Sequence, residues 1–294
     1  MNEIVKYDNY LNGLKFTGFS PIDFNFLMAL CSRTRDKNTN ELKFTFDELR
    51  EVTGYKQTSI KKFASDLERM NEKLMKIICK IKTETKTIMF VLFPTFVTDT
   101  EEQTLTVAVN EKFKFILNAI IKNFTRFDLD EFVQLNSKYS KSLYRLLKQF
   151  KSTGIFEVSI KDFREKMDCP VSYTNKHIMD KIIKPSLHEL QNYFQNLQCT
   201  TKYAHKRGKP VIGYIFTFTS ENRVIEADQS QDKMNKSDQS QQQKQNSFVN
   251  FHQRTYDYEQ LERELINRSE SDESQLDNEF IESQMQNILD EMKK

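Results

Sequence analysis

The apolar residues of this chain fall at two spacings, and the order of the spacings repeats. In the first region Ile22, Phe26 and Leu30 lie four apart, so the segment from Pro21 to Cys31 is predicted to be a helix. Lys43-Phe44-Thr45-Phe46 alternates like a short strand and leads into a short helix, Asp47 to Val52. Gly54 turns the chain, and Ile60, Phe63, Leu67, Met70 and Leu74 form one apolar face of a long helix from about Gln57 to Leu74. Strand-like runs follow over residues 76–83, 87–97 and 104–109. A second region repeats the series. Leu143, Leu146, Leu147 and Phe150 mark a helix that Gly154 ends, a strand spans Phe156 to Ile160, and a short helix runs from Lys161 to Met167 until Cys169-Pro170 breaks it. A longer helix is predicted from about Thr174 to Phe194, and strands over residues 197–203 and 211–219 close the unit as a hairpin.

The two regions can be superposed residue by residue. Thr45-Phe46-Asp47-Glu48-Leu49-Arg50-Glu51 matches Ser159-Ile160-Lys161-Asp162-Phe163-Arg164-Glu165 at an offset of 114 residues. Both segments open with a hydroxyl residue followed three places later by a carboxylate, the capping box that satisfies free amides at a helix start. Two such boxes at equivalent places imply a duplicated domain. Helix–turn–helix followed by a hairpin is a winged helix. The fold class is therefore α+β and helix-rich, with two tandem winged-helix domains over residues 1–121 and 122–223.

Composition adds a third region and removes several functions. With 6 Gly and 5 Pro in 294 residues, long helices are favoured over a loop-rich chain. The net charge of +2 conceals a division: residues 1–120 carry +2, residues 121–223 carry +8 and residues 224–294 carry −8. Residues 228–247 are almost wholly Gln, Ser, Asp, Lys and Asn, too polar to bury a core, so residues 224–294 are expected to be a disordered acidic tail with short amphipathic helices. Cys31, Cys79, Cys169 and Cys199 form no C-x-x-C pair, and no apolar run is long enough for a membrane span, which fits a reduced, cytoplasmic protein. His177, His188, His205 and His252 have no metal-ligand spacing, and neither a phosphate-binding Gly-rich loop nor a nucleophile motif is present. No metal, cofactor or enzymatic activity is expected.

The basic second region carries the candidate chemistry. Its long helix offers Tyr173, Asn175, Lys176, His177, Lys181 and Lys184, of which Asn and Lys can bond base edges in the major groove of double-stranded DNA. The hairpin tip gathers Lys202, His205, Lys206, Arg207 and Lys209 around Gly208, and the preceding helix adds Lys138, Lys141 and Arg145. A lysine-rich helix face alone is also what solvent exposure produces, but four cations in eight positions of a hairpin have no structural need to be there. In the first region Lys56, Gln57, Thr58, Ser59, Lys61 and Lys62 are the equivalent candidates, diluted by Asp66, Glu68 and Glu72. Its hairpin turn is placed at residues 83–86 and is weakly charged. The run Ile88 to Phe93 can serve either as a core strand or as an edge that pairs with a second subunit.

Three segments resemble the iteron-binding plasmid replication initiators built from two winged helices, over about residues 1–220. They are the stretch from Leu135 to Phe150 (LNSKYSKSLYRLLKQF), the stretch from Phe163 to Met167 (FREKM), and the stretch from Lys181 to Leu190 (KIIKPSLHEL), with its Pro inside the recognition helix. The resemblance implies that the second winged helix makes the main base contacts through Tyr173, Asn175, Lys176, His177 and Lys181, with Lys206 and Arg207 on the wing. It implies that the first winged helix supplies secondary DNA contacts and a dimer interface. Monomers would bind direct repeats at the origin, and a homodimer would bind an inverted repeat and repress the protein's own gene. Host partners would be the host replication initiator and the replicative helicase or its loader. Phe251 to Tyr258 is similar to a short C-terminal motif of replication proteins of low-GC Gram-positive bacteria and points to a host factor. Two other readings stay open from the residues: a repressor with no role in initiation, and a scaffold acting through its tail.

Overall fold

A computed structural model of the chain describes residues 3–34, 40–57, 59–82, 85–118 and 124–221. The chain divides into two compact units, one of residues 1–81 and 88–234 and one of residues 82–87 and 235–294. The tail expected over residues 224–294 lies outside the described residues, so the second unit is described only at a hairpin tip. Among the described residues no helix is long and apolar enough to cross a membrane.

The first winged helix begins with β1 (Ile4–Asp8), the single turn α1 (Tyr10–Gly13) and α2 (Pro21–Thr34). β2 (Glu41–Thr45) then enters α3 (Phe46–Thr53) and α4 (Ile60–Met75). Strands β3 (Ile78–Lys82), β4 (Thr87–Val91), β5 (Thr95–Asp99) and β6 (Thr104–Ala108) precede α5 (Glu111–Asn118). The second winged helix, delimited by the repeat of the order β1-α1-α2-β2-α3, comprises β7 (Phe124–Asp128), α6 (Leu129–Gln134), α7 (Lys138–Gln149), β8 (Ile155–Ser159) and α8 (Ile160–Lys166). Its recognition helix is α9 (Asn175–Ile178), a π-helical turn (Met179–Ile183) and α10 (Lys184–Leu190), and β9 (Gln198–Tyr203) with β10 (Val211–Thr217) forms the hairpin.

Equivalent residues start equivalent elements in the two domains. Thr45 accepts from the Glu48 amide while the Glu48 carboxylate reaches the Thr45 amide, a complete box at the head of α3. At α8 Ser159 accepts from the Asp162 amide, but the Asp162 carboxylate takes the Ser159 hydroxyl at 2.6 Å. One methylene fewer in Asp than in Glu leaves the second half of that box unmade. Gly54 ends α3 with φ +65°, a conformation few side chains tolerate.

The sheets show the duplication and correct one expectation. β8-β10-β9 and β2-β6-β5 are antiparallel three-stranded sheets of the same order. The counterpart of the second wing is therefore the β5–β6 hairpin, and not the turn expected at residues 83–86. β3 and β4 form a separate two-stranded sheet inserted between α4 and that hairpin. The run expected to be continuous over residues 87–97 is split at Pro94, which cannot donate to a ladder; the adjoining Leu92 and Phe93 are fully buried, whereas Met89 on β4 is 57% exposed.

Both winged helices share one hydrophobic core, from Val5 and Tyr7 through Leu67 and Val107 to Phe163 and Phe216. The junction between them is built twice over. β1 pairs along its whole length with β7, Ile4 opposite Asp128 and Asp8 opposite Phe124, so the first strand of the chain crosses the boundary expected at residue 121. Behind that ladder the Arg145 guanidinium, 3% exposed, donates to the Tyr7 hydroxyl at 3.2 Å, to Leu11 O at 3.3 Å and to Asn12 Oδ1 at 3.2 Å. It also lies over the rings of Phe16 and Phe24. Asn12 returns the contact through its amide nitrogen to Thr125 Oγ1 at 2.7 Å and Gln149 Oε1 at 3.1 Å.

Asn12→Leu keeps the volume but strips this charge of an acceptor, and leaving a buried cation under-bonded costs several kcal/mol. The variant is expected to lose about 3 kcal/mol in urea unfolding, whereas Lys206→Met on the exposed wing should move stability by less than about 0.5 kcal/mol. Equal values would show that the junction does not bear on the fold.

Candidate nucleic-acid interface

The recognition helix is set by what precedes it. Thr174 is its cap: its hydroxyl accepts from the His177 amide at 3.3 Å, and its own amide donates to His177 Nδ1 at 3.4 Å. An imidazole that accepts at Nδ1 carries its proton on Nε2 and offers it outward. One turn further along the same face, Tyr173 and His177 meet edge to face at 5.7 Å, and the Lys181 ammonium lies 5.2 Å from the Tyr173 ring. Tyr173, His177 and Lys181 thus form one ladder, with Lys176 exposed beside it.

Sequence periodicity places a single uniform helix here, but the helix changes pitch at its centre. Pro185 has no amide hydrogen and its ring crowds the preceding turn. The chain responds with a π turn in which the Lys184 amide reaches back five residues to Met179 O. The regular helix ends at Leu190, short of the expected Phe194. Lys184 is exposed but bonded to Asp180 at 2.8 Å, and that bond is the leading reason the Asp180 carboxyl is held below its ordinary pKa.

The wing tip is a turn closed by the Lys209 amide on Lys206 O at 3.0 Å, with Gly208 and Lys209 both at positive φ. His205, Lys206, Arg207 and Lys209 are all exposed, and among the described residues no acidic partner is assigned to these three Lys and Arg side chains. Lys202, lower on the wing, is paired with Glu157. A groove between helix and wing is lined by Asn175, Lys176 and Lys184 on one side and Thr201 and Tyr203 on the other. That groove also takes in Asp180, while Lys206, Arg207 and Lys209 line a neighbouring hollow that shares Tyr203 with it, so helix and wing cations flank adjacent concave surfaces that a phosphate backbone can follow.

Other expected contacts fall elsewhere. Lys138 is half-buried and bonded to Asp168 at 3.2 Å. Lys141 and Arg145 are corrections: both are buried, and neither reaches the surface expected for DNA. The Lys141 ammonium is fully enclosed and donates to Phe132 O at 2.5 Å and Val133 O at 3.3 Å, closing the C-terminal carbonyls of α6. Arg145 is spent on the domain junction. In the first winged helix Lys56, Gln57, Ser59 and Lys61 are exposed at the head of α4, while Thr58 lies outside the described residues. Ser59 caps α4 by accepting from Lys62 N. Lys62 is drawn onto Asp66 at 2.9 Å, beside Arg69; the Asp66 carboxyl is held below its ordinary pKa chiefly by the Tyr55 hydroxyl bonded to it. The equivalent wing, residues 99–104, carries Asp99, Glu101 and Glu102, and would repel phosphate.

Arg164 is a residue that the sequence reading did not single out as functional. Its guanidinium grips Tyr173 O at 2.6 Å and approaches Asn175 Oδ1 at 3.4 Å, tying α8 to the start of the recognition helix. The signal available was its repeat partner, Arg50, at the offset of 114 residues. Among the described residues no group of three His, Cys, Asp or Glu side chains is placed to hold a metal.

Tandem winged helices with exposed cations on the recognition helix and the wing define a DNA-binding protein. Family models agree with that class and narrow it: "Initiator Replication protein, WH1" matches residues 4–148 and "Initiator Rep protein, WH2" matches residues 159–218. A "Probable replication protein rep" of Bifidobacterium longum (strain NCC 2705) is 35% identical over 240 residues, covering 79% of this chain and 80% of that protein. Among solved structures, the Pi initiator protein in complex with iteron DNA is similar with a TM-score of 0.57 at 14% identity, over 75% of this chain and 98% of that one. The chain belongs to the initiator replication protein family.

Burial lowers the Lys141 pKa from 10.5 to about 7. A folded pKa below the unfolded one means that the unfolded chain binds more protons between the two values, so this site's contribution to stability rises with pH above about 7. Lys141→Met removes the dependence. The unfolding free energy of wild type relative to the variant is expected to climb between about pH 7 and 8.5, by at most about 1.4 kcal/mol per pH unit. The thiols of Cys31 and Cys79, pushed up by burial to about 12, act in the opposite sense but equally in both chains. A flat difference would place the ammonium in solvent.

Proposed function

We propose that this initiator binds double-stranded DNA at a plasmid origin, reading direct repeats (iterons) with the recognition helix and wing of its second winged helix. The observation that carries the reading is the groove in which Asn175 and Lys176 face the wing that holds Lys206, Arg207 and Lys209. The Pi initiator, of the same fold, was crystallised on iteron DNA. In this reading α4 of the first winged helix adds lighter contacts through Lys56, Gln57 and Lys61, and its acidic wing stays off the phosphates. The protein acts by binding and origin opening, in the cytoplasm, without catalysis of its own.

Self-association and host contacts extend the proposal. The β3–β4 sheet has no third strand among the described residues, and Ile78 and Met89 on it are exposed, which supports pairing with a second copy there. Such a dimer would bind an inverted repeat and repress the protein's own gene. The acidic tail would recruit the host initiator and the replicative helicase or its loader.

A footprint of the purified chain on the DNA flanking its gene tests the central claim: several direct repeats protected in phase are expected, and protection of a lone palindrome would convert the reading to that of a repressor. The roles of the two surfaces separate by variant. Arg207→Ala is expected to weaken binding to all DNA and to lower the salt slope by about 1. Asn175→Ala should cost about 1–3 kcal/mol at the proper site and nothing on random duplex. Equal losses on random DNA would overturn the assignment.

A further inference from the structure

The turn that delivers the chain from α8 to α9 is held at nearly every residue. Asp168 adopts φ +47°, a conformation unfavourable for a side chain with a Cβ, and it is fixed there by the Gly18 amide at 3.1 Å and the Lys138 ammonium at 3.2 Å on its carboxylate. The Cys169 amide bonds Arg164 O at 2.9 Å, and Pro170 locks its own φ. The Tyr173 amide bonds Pro170 O at 3.0 Å, closing a β-turn with Val171 and Ser172 at its corners, and Arg164 grips Tyr173 O. At the corner of this braced turn Val171 is 99% exposed; the other exposed large apolar side chains among the described residues range from 38% to 57%.

A branched hydrocarbon held wholly in water by a backbone that cannot turn it inward is available to a ligand that prefers hydrocarbon. Its place indicates which. The turn leads directly into the N-terminal end of the recognition helix, the end that meets base edges when such a helix lies in the major groove. The neighbouring side chains there, Asn175, Lys176 and His177, can read only donors and acceptors. The major-groove edge also carries one apolar mark, the C5 methyl of thymine. We propose that Val171 packs against a thymine methyl next to the bases addressed by Asn175, so that the turn and the helix together read the site. The inference rests on the proposed entry of α9 into the major groove.

The test uses the full chain. Its preferred site is first selected from random duplexes, and each thymine in the site is then replaced singly by deoxyuridine, which deletes only the methyl. At one thymine the replacement is expected to weaken wild type about fourfold, the worth of one buried methyl group at about 0.8 kcal/mol. Val171→Ala, which alters only a solvated side chain and leaves the fold intact, should bind the thymine site about fourfold more weakly and be indifferent to that replacement. A site without thymine in its protected major groove, or deoxyuridine penalties identical in wild type and Val171→Ala, would overturn the role of Val171 while leaving DNA reading in place. Failure of wild type to select any site would overturn the DNA reading itself, and the inference with it.

Discussion

The elements β1, α1 and α2 are locked to α7 by a cation that has no anion. Among the described residues no carboxylate pairs with Arg145; its charge is dispersed onto a phenol, an amide oxygen, a backbone carbonyl and two phenyl faces. All of those groups lie between Tyr7 and Phe24, and the guanidinium comes from α7. Tyr7 in turn donates to Asn12 Oδ1 at 3.0 Å, and Asn12 reaches Thr125 on β7, so the bonds interlock rather than add. The β1–β7 ladder sets the strand register, and the buried cation sets the depth at which α7 seats against it.

This junction explains how one basic region does two unlike jobs. The cations of residues 121–223 divide by depth. Lys141 and Arg145 are consumed on backbone and side-chain acceptors inside, while Lys176, Lys206, Arg207 and Lys209 stand outside. The inward set holds the body that the outward set uses to present its charge. A basic net charge therefore overstates the positive surface, because part of it never meets solvent.

Local signals were legible from the residues; partners remote in sequence were not. The capping box at Thr45, the wing tip around Gly208 and the recognition helix start at Thr174 each depend on residues within a few places of one another, whereas of the box expected at Ser159 only the hydroxyl half forms. Lys141 and Arg145 lie at the helical spacing of an exposed basic stripe; Tyr7 and Asn12, 138 and 133 residues away, draw Arg145 inward, and the backbone carbonyls of Phe132 and Val133, which no side-chain pattern marks, take Lys141. The three strand runs place a hairpin turn at residues 83–86, where β3 and β4 do pair, but they do not mark the break at Pro94 that makes β5–β6 the wing, because strand patterns in a row do not say which pair. Hydrophobic alternation marks a strand, whereas register is decided by partners. The π turn was hidden for a similar reason: Pro185 announces a local disturbance but not the wider turn that absorbs it.

A neutral or apolar junction would have been less costly to bury, since desolvating a charge opposes folding. What the charged one adds is intolerance. An apolar patch can slide by half a turn and lose little, because hydrophobic contact has no direction. A guanidinium displaced by the same amount leaves Tyr7 and Asn12 out of reach and remains buried with donors unmet, at a cost of several kcal/mol. Wrong dockings of the two domains are thereby penalised more than the right one is favoured. In the proposed reading, where α4 and the recognition helix both approach one duplex, that asymmetry would hold their separation to a fixed spacing of bases.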